Sequence, residues 1–284
     1  MAMNGKMKKG CAIGCGVVTL VLLVIIGSVA FFVRDMSTDY KAVKKSEEVL
    51  LAAHGGLLEY TPPSGGVPSA ERLQVFLQVR RDQAEWRQNV SQAFDEFLVK
   101  KEASDTGGFK HFLGLLRSTT QMAPSLASFW SSRNAALMEH EMGPGEYSYI
   151  YCLAYFTYLN YDPGDGAQDS ELDFGKKSRA GIQVDTQGEL TETERRDAAW
   201  RHVHDLMLPM LQAVDRTNSS EDWLRELDLE LAVMDESPLH YPWRNGAPRL
   251  LSDAFRPFRR ELEQQYNVAV NPVELIFEFS SSEE

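Results

Sequence analysis

One short cluster of the sequence combines side chains that could take up and release protons. Glu139, His140 and Glu141 are consecutive, and Glu146 follows at the start of the next apolar segment. Carboxylates beside an imidazole are suited to acid–base catalysis or to metal binding. His140-Glu141 also begins like the zinc motif H-E-x-x-H, but Pro144 occupies the place of the second histidine. The cluster is therefore a candidate functional site without a recognisable catalytic motif.

The same residues are explained equally well by the ends of two helices. Charged side chains at helix ends satisfy backbone groups that have no partner within the helix. Arg80, Arg81 and Arg133 lie on predicted neighbouring helices, where they could pair with these acids. A network of ion pairs of this kind explains the charged residues without a catalytic or metal-binding role. We therefore favour a structural role and assign no catalytic residue, no metal site and no cofactor.

A run rich in tyrosine follows this cluster. Tyr147, Tyr151, Tyr155 and Tyr158 recur at helical spacing, and Pro144 is suited to the first turn of a helix. A strand remains an alternative, because alternate positions in the run are also aromatic or apolar. The run is too short and too rich in hydroxyl groups to cross a bilayer. We expect a buried central helix, with Tyr147 and Tyr151 added to the candidate site in case the tyrosines face a ligand.

The elements that must position these residues all show helical apolar spacing. Two long segments, at about 69–101 and 109–142, are joined by a short glycine linker and predict a helical hairpin. Ser69 is a predicted N-cap, and Thr191 with Glu194 forms a predicted capping box. The fold class expected is all-α, a multi-helix bundle.

The strongest signal in the sequence is an uncharged apolar segment at residues 11–33. A helix of this length spans a bilayer core of roughly 30 Å. Lys6, Lys8 and Lys9 precede the segment, whereas acids and bases balance after it, so residues 1–10 are expected in the cytoplasm and residues 34–284 outside it. The alternative is a signal peptide cleaved after Ala30.

The rest of the chain divides around this predicted transmembrane helix. Residues 34–60 are expected to form a stalk helix and linker, and residues 61–284 an extracytoplasmic helical domain with a mobile acidic loop at 162–189. Gly10 and Gly14 have the G-x-x-x-G spacing that lets membrane helices pack closely, which predicts a possible homodimer. The conformation of the tail 267–284, extended or helical, is left open.

Composition narrows the functional classes. The formal net charge is −12 and the isoelectric point is about 5.1, which argues against binding to nucleic acid. The predicted outer domain contains a single cysteine, Cys152, so a disulfide within it is excluded. The domain must be held together by its core.

These observations predict a single-pass, membrane-anchored envelope protein with a non-catalytic interaction or scaffold domain. The layout resembles that of bacterial envelope proteins with one N-terminal span and a helical outer domain, which implies an inner-membrane protein facing the periplasm. The expected partners are the lipid bilayer, a second copy of the chain and an unidentified envelope protein. The alternative is a small-ligand sensor or enzyme with a pocket beside residues 147–158.

Overall fold

The computed structural model describes residues 41–104, 109–165, 191–217 and 219–275. Every regular element in those ranges is helical, and none of the described residues forms a strand. The predicted all-α fold class is therefore confirmed. The α-helices are α1 (residues 41–54), α2 (Ala70–Asp82), α3 (Ala84–Ser104), α4 (Phe109–Glu139), α5 (Pro144–Tyr151), α6 (Glu192–Gln212), α7 (Glu221–Glu236), α8 (Arg249–Phe255), α9 (Arg259–Gln265) and α10 (Asn271–Glu274). Short 3₁₀ turns at Leu57–Glu59, Ser64–Gly66 and Arg256–Phe258 connect some of them.

Helix starts follow the local sequence. The Ser69 hydroxyl accepts a hydrogen bond from the N–H of Arg72 at 3.2 Å, which caps α2. Thr191 and Glu194 form the reciprocal capping box at the start of α6. Both N-caps expected from the sequence are confirmed, because a cap depends only on residues within one turn.

The segment predicted as one helix from residue 69 to about 101 is interrupted at Gln83. This residue has a ψ of 0°, and its side chain is fully buried. The Arg87 guanidinium turns back and donates to the Arg80 carbonyl at 2.7 Å. In an uninterrupted helix the N–H of residue 84 would take that carbonyl, so a side chain replaces a backbone donor at the interruption.

The interior of the domain consists of two apolar clusters. The larger cluster surrounds α5 and takes side chains from most of the other helices. The smaller cluster lies among α1, α3, α4 and residues 270–273. Its buried members are Val43, Val90, Phe94, Leu126, Phe129, Trp130, Val270 and Val273.

Helix α1 falls within residues 34–60, where a stalk helix and linker are expected. Val43 belongs to the smaller apolar cluster and Leu50 to the larger one, and both are almost completely buried. These two apolar positions at helical spacing therefore lie on the face of α1 that covers the core. The compact unit begins at Val43.

Several predicted features lie outside the described residues. They include the apolar segment 11–33 with Gly10 and Gly14, and residues 166–189 of the expected acidic loop. Among the helices that are described, none combines the length and the apolar character needed to cross a membrane. Residues 271–274 of the C-terminal tail form the short helix α10.

Candidate functional site

The tyrosine run is a helix with two kinds of turn. Helix α5 starts with Pro144 in its first turn and passes at Cys152 into a π-helix that ends at Tyr158. The wider turns are visible in the hydrogen bond from the N–H of Leu159 to the carbonyl of Ala154 at 3.0 Å. The helical prediction is confirmed, and the strand alternative is wrong.

The tyrosines of this helix form the centre of the larger apolar cluster. Tyr147, Tyr149, Tyr151 and Tyr155 have no exposed surface, whereas Tyr158 is partly exposed. The ring centroids of Tyr151 and Tyr155 lie 4.7 Å apart in a tilted arrangement. This is the geometry in which aromatic pairs attract each other beyond simple burial. The predicted burial of Tyr151 and Tyr155 is confirmed.

Helix α5 lies unusually close to the chain segment before α2. A Cβ atom added to Gly145 would stand 2.5 Å from the carbonyl oxygen of Leu57 and 2.5 Å from the Cβ of Tyr60. Neither group can move easily, because one is backbone and the other is fixed to it. Glycine at this position therefore allows the start of α5 to pack against the 3₁₀ turn Leu57–Glu59.

Two of the buried hydroxyl groups bind distant parts of the chain. Tyr149 donates to the carbonyl of Gly66 at 2.6 Å, and Tyr151 donates to Oδ1 of Asn271 at 2.9 Å. The amide nitrogen of Asn271 in turn donates to the carbonyl of Pro163 at 3.1 Å. Each of these two hydroxyls thus has an acceptor inside the core, as buried polar groups require.

Tyr147 belongs to a buried ion pair between Arg80 and Glu274. The Arg80 Nη1 atom lies 3.1 Å from one carboxylate oxygen of Glu274, and the Tyr147 hydroxyl donates to the other at 2.9 Å. Burial disfavours the charged form of Arg80, but Glu274 and the neighbouring tyrosines together outweigh burial and hold the pKa of Arg80 well above its ordinary value. Burial raises the pKa of Tyr147. The triad therefore consists of a cation, an anion and a neutral phenol.

A second buried arginine holds the backbone beside this pair. Arg133 donates from Nη1 to the carbonyl of Glu274 at 3.1 Å. Burial lowers the pKa of Arg133 to about 10, which leaves it protonated at neutral pH. The indole of Trp130 donates to the neighbouring carbonyl of Val273 at 3.4 Å. Helix α10 is thus fixed through both its side chains and its backbone.

The predicted acidic cluster does not come together as one site. Glu146 forms a bidentate pair with Arg72, with both nitrogen–oxygen distances at 2.6 Å. The Nε2 atom of His140 lies 2.6 Å from Oδ2 of Asp82 on α2. Glu139 and Glu141 are exposed at the end of α4.

The arginine partners expected for that cluster are different in the structure. Arg80 pairs with Glu274, Arg81 pairs with Glu261, and Arg133 binds a backbone carbonyl. These three arginines therefore pair with other groups, and Arg72 takes the role predicted for them.

Sequence reasoning missed the residues that complete the buried network. Asn271 and Glu274 fall in the tail whose conformation the sequence left open. One signal was present, a single glutamate within the apolar stretch V-E-L-I-F. A carboxylate in such a stretch must find a buried cation if the stretch packs in the core.

The geometry does not favour acid–base or metal chemistry at these positions. Among the described residues, no three His, Cys, Asp or Glu side chains are placed to hold a metal ion. Burial raises the pKa of the Cys152 thiol, which opposes its use as a nucleophile. The polar atoms of the network serve instead to join α2, α4, α5 and α10. No protein-family model matches this chain, and no curated protein or solved structure matches it either.

Proposed function

We propose that this protein is held in a membrane by one helix at residues 11–33 and that its helical domain acts outside the cytoplasm as an interaction or scaffold module. The observation that carries the anchor is the absence of any charged residue between positions 11 and 33. Such a segment is stable in hydrocarbon and long enough to cross it. Lys6, Lys8 and Lys9 before the segment support a cytoplasmic N-terminus.

Reporter fusions test this topology. An alkaline phosphatase domain attached after Glu284 is expected to be active in bacterial cells, because this enzyme folds only outside the cytoplasm. A cytoplasmic reporter attached at the same residue is expected to be inactive. The triple variant Lys6→Glu, Lys8→Glu, Lys9→Glu should reduce the phosphatase signal. The opposite reporter pattern in the wild type would refute the proposed orientation.

The scaffold role is supported by what the candidate side chains do. Glu146, His140 and Tyr147 each contact a charged partner within the domain. Their polar atoms are used to join helices, which suits a stable module that presents its outer surface. We propose another envelope protein, or a second copy of this chain, as the bound partner.

Photo-crosslinking in intact cells tests the scaffold role. A photoreactive amino acid is placed at Leu58, Leu229 or Leu250, each of which is about half or more exposed. Gln212, an exposed polar residue at the end of α6, provides the control position. We expect a discrete crosslinked product from at least one apolar position and none from Gln212. Uniform or absent products at all four positions would contradict a specific protein interaction.

One observation favours the alternative of a ligand-binding domain. A cleft of about 330 Å³ includes Tyr266 in its wall. The ring of Tyr266 lies 5.1 Å from that of Tyr155 on the tyrosine helix. The cleft therefore adjoins the region where the sequence placed a possible pocket.

A further inference from the structure

The cleft is lined largely by residues with polar side chains. It lies between the first half of α3 and residues 264–267. Its walls include Arg87, Gln88, Ser91, Gln92, Gln264 and Tyr266. The side chains of Gln88, Gln92 and Gln264 are exposed to solvent. Amide and hydroxyl groups in this arrangement can both donate and accept hydrogen bonds, which suits a ligand that carries several hydroxyl groups.

One wall of the cleft contains Arg87, which meets Arg80 behind that wall. Arg80 and Arg87 both donate to the same carbonyl oxygen, that of Gln265. Arg80 has Glu274 as its counter-ion. The Arg87 guanidinium donates a second hydrogen bond to the backbone carbonyl of Arg80. Burial, together with the charge of Arg80, lowers the pKa of Arg87. The charge of Glu274 also acts on Arg87, but Glu274 is paired with Arg80, and among the described residues no carboxylate forms an ion pair with Arg87.

Buried polar atoms without partners lie in and next to the wall of the cleft. Arg80 is on α2, Gln83 is at the interruption before α3, and Arg87 is on α3, where it lines the cleft. All three are almost completely buried. Within the described part of the chain, the Nε atom of Arg87 and both polar atoms of the Gln83 amide have no hydrogen-bond partner. Groups of this kind destabilise a protein unless water or a ligand satisfies them.

We propose that this cleft binds a small hydroxylated carboxylate, such as a sugar acid. The carboxylate lies against Arg87 and offsets the unbalanced cation. The hydroxyl groups of the ligand bind the amides of Gln88, Gln92 and Gln264, and Tyr266 supplies an aromatic surface. This site is separate from the proposed scaffold role and does not depend on the membrane anchor.

Matched pairs of ligands test the proposal on the full-length protein in detergent. D-Glucuronate and D-glucose differ by one carboxylate, and so do D-galacturonate and D-galactose. Saturation-transfer NMR titrations give the dissociation constant of each. We expect at least one acid to bind about tenfold or more tightly than its neutral counterpart, because a charge-assisted hydrogen bond is lost with the carboxylate. The preference should shrink as salt is raised.

A charge placed on the wall of the cleft gives the decisive variant. Gln88→Glu preserves the size of an exposed side chain and should weaken binding of the acid about tenfold, with little effect on the neutral sugar. Gln212→Glu makes the same charge change at an exposed residue that does not line the cleft, and should leave both dissociation constants unchanged.

Three results would overturn the proposal. Equal binding of the acids and the neutral sugars would show that the cleft does not recognise a carboxylate. Absence of saturation transfer to both acids would show that the cleft does not bind these ligands. Equal effects of Gln88→Glu and Gln212→Glu would show that overall charge, and not the cleft, determines binding.

Discussion

Helix α2 carries two arginine–glutamate pairs in contrasting surroundings. Arg72 near its start binds Glu146 through two nitrogen–oxygen contacts of 2.6 Å, with exposed side-chain fractions of 31% and 14%. Arg80, eight positions later, binds Glu274 at 3.1 Å, and both side chains are 1% exposed. The pair at the surface has the shorter contacts, whereas the buried pair has the larger number of polar neighbours.

The contrast shows that distance alone does not rank ion pairs. Water competes for the charges of Arg72 and Glu146, so each can be solvated if its partner is removed. No such replacement is available to Arg80 and Glu274, since removal of one leaves the other charged in an apolar interior. The long buried contact should therefore matter more to stability than the short exposed one.

Glu274→Ala is expected to have the largest effect. The change leaves Arg80 without its counter-ion and removes the acceptor of the Tyr147 hydroxyl. Loss of one member of a buried pair destabilises a protein by about 3–5 kcal/mol. Urea unfolding followed by circular dichroism measures the change. The double variant Arg80→Met, Glu274→Met should recover part of the loss, and a single variant as stable as wild type would contradict the buried pair.

Tyr151→Phe is expected to have an intermediate effect. The substitution keeps the ring but removes the hydroxyl that donates to Asn271 Oδ1 at 2.9 Å. A buried acceptor left without its donor costs about 1–3 kcal/mol. Tyr158→Phe, at a partly exposed position of the same helix, provides the control. Equal melting temperatures of Tyr151→Phe and the control would indicate that the buried hydroxyl contributes nothing.

Glu146→Ala should cost less than either buried change. Arg72 is partly exposed and regains water when its partner is lost, so we expect a loss of about 1 kcal/mol. The difference between wild type and variant should decrease in 1 M salt, where exposed charges are screened over about 3 Å. A loss as large as that of Glu274→Ala, or one that salt does not change, would overturn the comparison between the two pairs.

Glu263→Ala is expected to have the smallest effect. Glu263 pairs with Arg259 one turn earlier on α9, and both side chains are largely in solvent. Screening and side-chain entropy offset most of the attraction at such a site. The midpoint of urea unfolding should agree with that of wild type within experimental error. A clear shift would mean that α9 depends on this pair.

The sequence was informative where structure depends on near neighbours. Ser69 and Thr191 cap helices through residues three positions away, and Pro144 starts a helix through its fixed backbone angle. Burial of the tyrosine run followed from the apolar residues on all faces of the predicted helix. These features need no knowledge of what packs against them.

The candidate site was less predictable, because its contacts join distant segments. The partner of Glu146 depends on how α2 and α5 lie against each other, and residues 74 positions apart in the chain meet there. Helical spacing shows which face of each helix is apolar but not which turns face each other. Arg72 was therefore missed in favour of the three arginines farther along.

The contact between Arg80 and Glu274 joins positions 194 residues apart. Closing so large a loop costs chain entropy before the contact repays it, so we expect this contact to form late in folding. Until α10 packs against the bundle, Arg80 lacks the carboxylate of Glu274 and Arg133 lacks its backbone carbonyl. We therefore expect water to leave the centre of the bundle only when α10 is in place.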